Sequence, residues 1–112
     1  MNEEIAYKVI KIIEETPDIS QRQLAETLGI SLGKTNYCLK ALIEKSIIKA
    51  RNFKNSHNKL AYTYLLSPKG INEKAKITTS FLKRKLIEYD SLKQEIEILK
   101  QEIIRLSPTK ND

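Results

Sequence analysis

The run SQRQLAETLGISLGKTNYCLKALIEKSIIK at residues 20–49 leaves this chain few ways to fold. It holds two short helical segments that meet at Gly29, followed at once by a branched, strand-like stretch. Ser20 opens the first segment and Ser31 the second, each with a hydroxyl able to accept an orphan N–H of a first helical turn. Leu24, Leu28 and Ile30 supply the apolar positions. Ala25 is small where two helix axes must approach, and Gly29 suits a left-handed turn. That spacing predicts a helix-turn-helix, whose second helix can lie in the major groove of DNA.

The flanks extend the pattern. Ile5, Ala6, Val9, Ile12 and Ile13 predict one apolar face of a helix over residues 3–15, with the two helices of the motif at 20–28 and 31–45. Ile47–Phe53 and Leu60–Leu66 read as strands, joined through the polar turn cluster Asn55-Ser56-His57-Asn58. Three helices and a hairpin make a winged helix. Ser67-Pro68-Lys69-Gly70 is expected to break the second strand and start the last element, and from about Ile71 to Leu106 no Pro or Gly interrupts one long helix. The expected fold is therefore mainly α with a small β-hairpin: a winged helix-turn-helix over 1–70, a long C-terminal coiled-coil helix over 71–107, and a disordered tail at 108–112.

The net charge of +6 is unevenly distributed. Residues 31–70 hold eight Lys and Arg against one Glu, whereas residues 1–30 hold three against six acids. A basic excess confined to the second helix and the segment after it points to a polyanion, nucleic acid first. One His, one Cys, three Gly and no phosphate-loop or metal-ligand spacing leave nothing to assemble into a catalytic centre, so no enzyme, metal or cofactor is expected. Cys38 falls at a position of the motif that is normally aliphatic and reads as a buried structural thiol, a redox role being the alternative. No run approaches the length of a membrane span, and Glu3 and Glu4 precede the first apolar residues, unlike a secretory leader. A cytoplasmic protein is expected.

Helical geometry divides the second helix into two faces. Ile30, Thr35, Leu39 and Leu42 are expected to point inward, leaving Leu32, Gly33, Lys34, Asn36, Tyr37 and Lys40, with Ser31 at the helix start, to meet DNA. Lys34 can reach guanine O6 or N7, Asn36 can pair with adenine, and Gly33 permits close approach of the backbone. Tyr37 suits a phosphate or a thymine methyl, and Lys40 a phosphate. Ser20, Gln21 and Arg22 open the preceding helix, where N–H groups and Arg22 can position a phosphate. The wing offers Arg51, Lys54, Asn55, His57 and Lys59 to the backbone or an adjacent minor groove.

Tyr89, Leu92, Ile96, Leu99, Ile103 and Leu106 repeat with 3-4-3-4-3 spacing, an a/d seam of nearly three heptads. Glu88, Glu95 and Glu102 then occupy g, and Lys93 and Lys100 occupy e. A parallel pair sets Glu88 against Lys93 and Glu95 against Lys100, while an antiparallel pair opposes like charges. A parallel homodimer is the expected partner arrangement. The competing arrangement folds the long helix back on its own domain, and Leu86, Ile87, Ile98 and Ile104 lie off the seam.

The segments SLGKTNYCLKAL, NFKNSHNKLAY, YLLSPKGI and FLKRK, within residues 19–85, closely resemble the small MarR-type regulators associated with exopolysaccharide gene clusters. The resemblance implies a dimeric bacterial winged-helix transcription factor of surface-polysaccharide genes, with its reader at Ser31–Lys45 and its wing at Asn52–Lys59. The chain departs from the pattern at Ser46, where related sequences commonly carry Gly. It is also shorter than most MarR proteins and lacks the extra helices that cradle their small phenolic ligands, so no small-molecule ligand is implied. The function expected is sequence-specific binding of double-stranded DNA at a pseudo-palindromic operator. An interaction module docking an acidic protein is the alternative.

Overall fold

A computed structural model describes residues 2–54 and 60–107; the tail assigned to 108–112 and the turn at 55–59 lie outside the described residues. Helices begin where the sequence supplies a cap. Asn2 Oδ1 accepts the Glu4 N–H at 2.8 Å and starts α1 (Glu3–Glu15). Ser20 starts α2 (Gln21–Leu28) through a reciprocal box: its Oγ accepts the Gln23 N–H, and Gln23 Oε1 accepts the Ser20 N–H, both at 3.1 Å. Ser31 Oγ accepts the Lys34 N–H at 3.1 Å and starts α3 (Leu32–Glu44). Between them Gly29 adopts φ +70°, closing α2 as the sequence anticipates.

The end of α3 is less comfortable. Ser46 has φ +62° and is the one residue other than Gly with a positive φ among those described. Its N–H donates to Ile43 O (2.9 Å) and the Ile47 N–H to Leu42 O (3.0 Å), a left-handed helix stop. This use of the Ile47 N–H delays the first strand by one residue, so β1 spans Ile48–Lys54 where Ile47–Phe53 was expected. An L side chain in this region costs about 1–2 kcal/mol, part of which a glycine returns as added freedom of the unfolded chain. Ser46→Gly should therefore raise stability by about 0.5–1 kcal/mol, seen as a higher midpoint in thermal unfolding followed by circular dichroism. An unchanged midpoint would mean that the turn is not strained.

β1 pairs antiparallel with β2 (Leu60–Leu66), in a register running from Ile48 opposite Leu66 to Lys54 opposite Leu60. The outer edge of β2 is covered by the loop between α1 and α2, where the Tyr64 N–H donates to Pro17 O at 2.8 Å. Alternation then turns Ile48 and Tyr64 into the core and leaves Lys49, Arg51 and Leu65 exposed. The core joins Val9, Ile10 and Ile13 of α1 to Leu24, Leu39, Leu42, Ile48 and Tyr64. Ile10 lies off the stripe read from the sequence, yet it is fully buried, because α1 is covered on more than one side.

The last helix, α4, spans Pro68–Leu106 and so starts three residues before the expected Ile71. Pro68 stands at the first helical position, where its missing N–H is no loss. Ser67 caps it, its Oγ accepting the Gly70 N–H at 2.9 Å. The segment thus ends the strand and starts the last element, as expected, with Pro68–Gly70 already in the first turn and Gly70 buried there.

Two compact units divide the chain, the first ending at Phe81 and the second starting at Leu82. In the first, Ile77 of α4 packs against the core, Phe81 stacks on Tyr7 with ring centroids 5.0 Å apart, and Lys74 pairs with Glu14 at 2.6 Å. In the second, the six seam residues from Tyr89 to Leu106 are 44–74% exposed.

Candidate nucleic-acid interface

The division of α3 into two faces follows the 3.6-residue period. Thr35, Cys38, Leu39 and Leu42 are buried, with Thr35 fully enclosed and its Oγ1 donating to Ser31 O at 2.9 Å. Ser31, Leu32, Gly33, Lys34, Asn36, Tyr37 and Lys40 are all exposed on the remaining arc, and Tyr37 is 70% exposed. Cys38 is a buried free thiol. Gly33 has a telling environment: a Cβ built there would meet no atom within 4 Å. Among the described residues nothing requires a glycine at that position, although glycine weakens a helix by about 1 kcal/mol relative to alanine.

At the start of α2, Arg22 is exposed and Gln21 half-buried. Ser20 and Ser31 each accept one capping bond, so each hydroxyl keeps its proton and a second lone pair to offer a partner. Gln21 lines a groove of about 290 Å³ with Asn36, Leu39, Lys40 and Ile43, which brings the first residue of α2 beside the exposed side of α3. Its side chain also lies close enough to the Tyr64 hydroxyl to lower its pKa. Burial pushes the Tyr64 hydroxyl above the ordinary tyrosine range; Gln21 opposes this and the neighbouring Tyr62 adds to it.

On the hairpin, Arg51 is exposed opposite Thr63, on the face turned away from Tyr64. Lys54 pairs with Leu60 through the backbone, whereas Asn55, His57 and Lys59 lie outside the described residues. The link from Tyr62 through Tyr64 to Gln21 was missed at the level of sequence. The i, i+2 spacing of the two tyrosines marks a shared strand face, but contact with Gln21 joins residues more than 40 positions apart. Among the described residues, no group of His, Cys, Asp and Glu could hold a metal ion, and no helix is long and apolar enough to cross a membrane.

Comparison with known proteins agrees with this geometry. Residues 2–49 match the family model described as winged helix-turn-helix DNA-binding. The fold resembles the PcaV transcriptional regulator from Streptomyces coelicolor, with a TM-score of 0.64, 13% identity, and coverage of 90% of this chain and 73% of PcaV. It also resembles the transcriptional regulator SlyA, with a TM-score of 0.59, 20% identity, and coverage of 88% of this chain and 70% of SlyA. ZitR of Lactococcus lactis, a zinc-responsive MarR family member, gives a TM-score of 0.55 and 22% identity over 91% of this chain and 72% of its own. At these identities the likeness is one of fold. No curated protein gives a significant sequence match.

Proposed function

We propose that the chain is a sequence-specific regulator of transcription that binds double-stranded DNA as a homodimer, with α3 in the major groove of each half-site. The observation that carries this reading is the exposed arc of α3, where Lys34, Asn36, Tyr37 and Lys40 surround a glycine that no contact among the described residues demands. Backbone without a Cβ lets a base edge or phosphate come close, while Lys34 and Asn36 have the donors that guanine and adenine recognise. Gln21 and Arg22 flank the helix on one side and the hairpin on the other, where contacts to phosphate set position rather than sequence.

Pairing through α4 supplies the second half-site. The exposed seam carries Ile96 and Ile103 at a, with Leu92, Leu99 and Leu106 at d, the combination that favours two parallel strands. Within the helix Glu88 is held by Lys85 at 3.0 Å and Glu102 by Arg105 at 3.3 Å. A parallel pair sets Glu95 against Lys100 and Glu88 against Lys93 across the seam. Half-sites spaced by about one helical turn, roughly 34 Å, suit a two-fold dimer. The motifs shared with exopolysaccharide-associated MarR-type regulators support surface-polysaccharide genes as targets, and a cytoplasmic setting goes with that role.

Mobility shift on the DNA upstream of the chain's own gene, against an unrelated duplex, tests the reading. Selective retention supports it; weak retention of both duplexes alike favours docking to an acidic protein instead. Gly33→Ala sharpens the test because the two properties should move in opposite directions. Stability should rise by up to about 1 kcal/mol, from helix propensity in open space. Affinity for the retained duplex should fall by about ten-fold, since the new methyl stands where DNA approaches. If affinity held while stability rose, α3 would not enter the groove at this residue.

A further inference from the structure

One half-exposed aromatic of the first unit has no counterpart in the recognition scheme above. Tyr62 of β2 is 44% exposed, although the residue directly opposite it on β1 is Asn52, which gives its ring no apolar partner across the hairpin. The ring lies instead along the strand, stacked on Tyr64 with centroids 6.4 Å apart and planes inclined by 20°. Tyr64 is buried and fixed, so the stack holds Tyr62 in one orientation at little further entropic cost.

That orientation has a direction. Tyr64 reaches the side chain of Gln21, and Gln21 shares a groove with Asn36 and Lys40 of α3. Tyr62 is two residues further toward the hairpin turn on the same strand face, about 6.6 Å along β2. It therefore continues the line that runs from α3 through the start of α2 onto the wing. A phenol has one strong donor on a rigid stem with two rotatable bonds, and tyrosine hydroxyls are among the groups that bond phosphate oxygens in duplexes.

We infer that Tyr62, aligned by its stack on the Tyr64 that lies close to Gln21, donates its hydroxyl to a phosphate of the duplex read by α3. The inference rests on the DNA-binding reading above. The contact is independent of base sequence and uncharged. It strengthens binding to any duplex but displaces no counterion, which separates it from the lysines and arginines around it.

Fluorescence anisotropy of a labelled random-sequence duplex, titrated at several salt concentrations, tests this on the full chain. Tyr62→Phe keeps the ring and the stack, and should raise Kd about five-fold at every salt concentration with an unchanged slope of log K against log salt. Arg22→Ala, measured beside it, should raise Kd and also flatten the slope. Equal Kd for Tyr62→Phe and the unaltered chain would overturn the inference while leaving DNA binding intact. A lowered melting temperature accompanying the weaker binding would overturn it as well, assigning the hydroxyl a structural part. Failure of the unaltered chain to bind any duplex would overturn both this contact and the reading beneath it.

Discussion

Gly70→Ala should destabilise the fold by about 3 kcal/mol or more, enough to cost a domain of this size much of its stability. A Cβ built on Gly70 stands 2.1 Å from Ile47 O, 2.9 Å from Leu66 Cδ1 and 3.0 Å from Ile47 C. The backbone oxygen cannot swing aside as a side chain can. Ile47 O accepts the Ser67 N–H at 3.0 Å and lies 3.2 Å from the Ser67 hydroxyl. That hydroxyl also bonds Ser46 O and accepts the Gly70 N–H. A methyl group at residue 70 must therefore push the first turn of α4 away from the start of β1, breaking several buried hydrogen bonds together. Urea unfolding gives the measurement. The expected result is a much lower midpoint with little change in slope, and an unaltered midpoint would mean that α4 does not pack this closely on Ile47. Gly33→Ala serves as the control, being the same substitution on a helix with open space around it.

The second large effect concerns the seam. Leu99→Glu should weaken self-association of the chain by at least 100-fold, as judged by sedimentation equilibrium at micromolar concentration. In a parallel pair the two Leu99 side chains meet at a d layer, so the substitution removes two apolar contacts and sets two carboxylates facing each other. Each tenfold loss corresponds to about 1.4 kcal/mol, and truncating one buried leucine already costs about 2–5 kcal/mol. The DNA readout should follow. Two half-sites bound by one dimer gain about 10²–10⁴ over a single half-site, and that gain should vanish with the dimer. The unfolding midpoint of residues 1–81 should stay unchanged, because Leu99 belongs to the other compact unit. An unaltered chain that sediments cleanly as a monomer would sink the homodimer outright.

How much could be read beforehand depended on the distance over which each interaction acts. The start of α2 was legible because Ser20 and Gln23 satisfy each other across three residues. Gly29 was legible because a left-handed stop at a helix end favours glycine. The inward face of α3 was legible too, since Thr35, Leu39 and Leu42 follow a period set by the helix itself. The close approach of α4 to β1 was not. Ser67-Pro68-Lys69-Gly70 reads as the end of a strand and the start of a helix, but nothing in it shows that the glycine will touch Ile47.

The same contrast runs through the interface. Lys34, Asn36, Tyr37 and Lys40 were placed outward by counting residues along one helix, and the structure exposes each of them. Tyr62 was passed over as a strand aromatic because its significance comes from Tyr64, and that of Tyr64 from Gln21 on another element. By itself, then, the sequence determined the helices, their caps, the hairpin and the periodic faces, since those rest on contacts a few residues apart. Only the tertiary structure decided that Gly70 lets α4 reach the carbonyl of Ile47, and that Tyr62 stacks on a Tyr64 that lies close to Gln21. These contacts, or the surroundings that hold them in place, involve groups 20 or more residues apart, and no local periodicity encodes which distant atoms will meet.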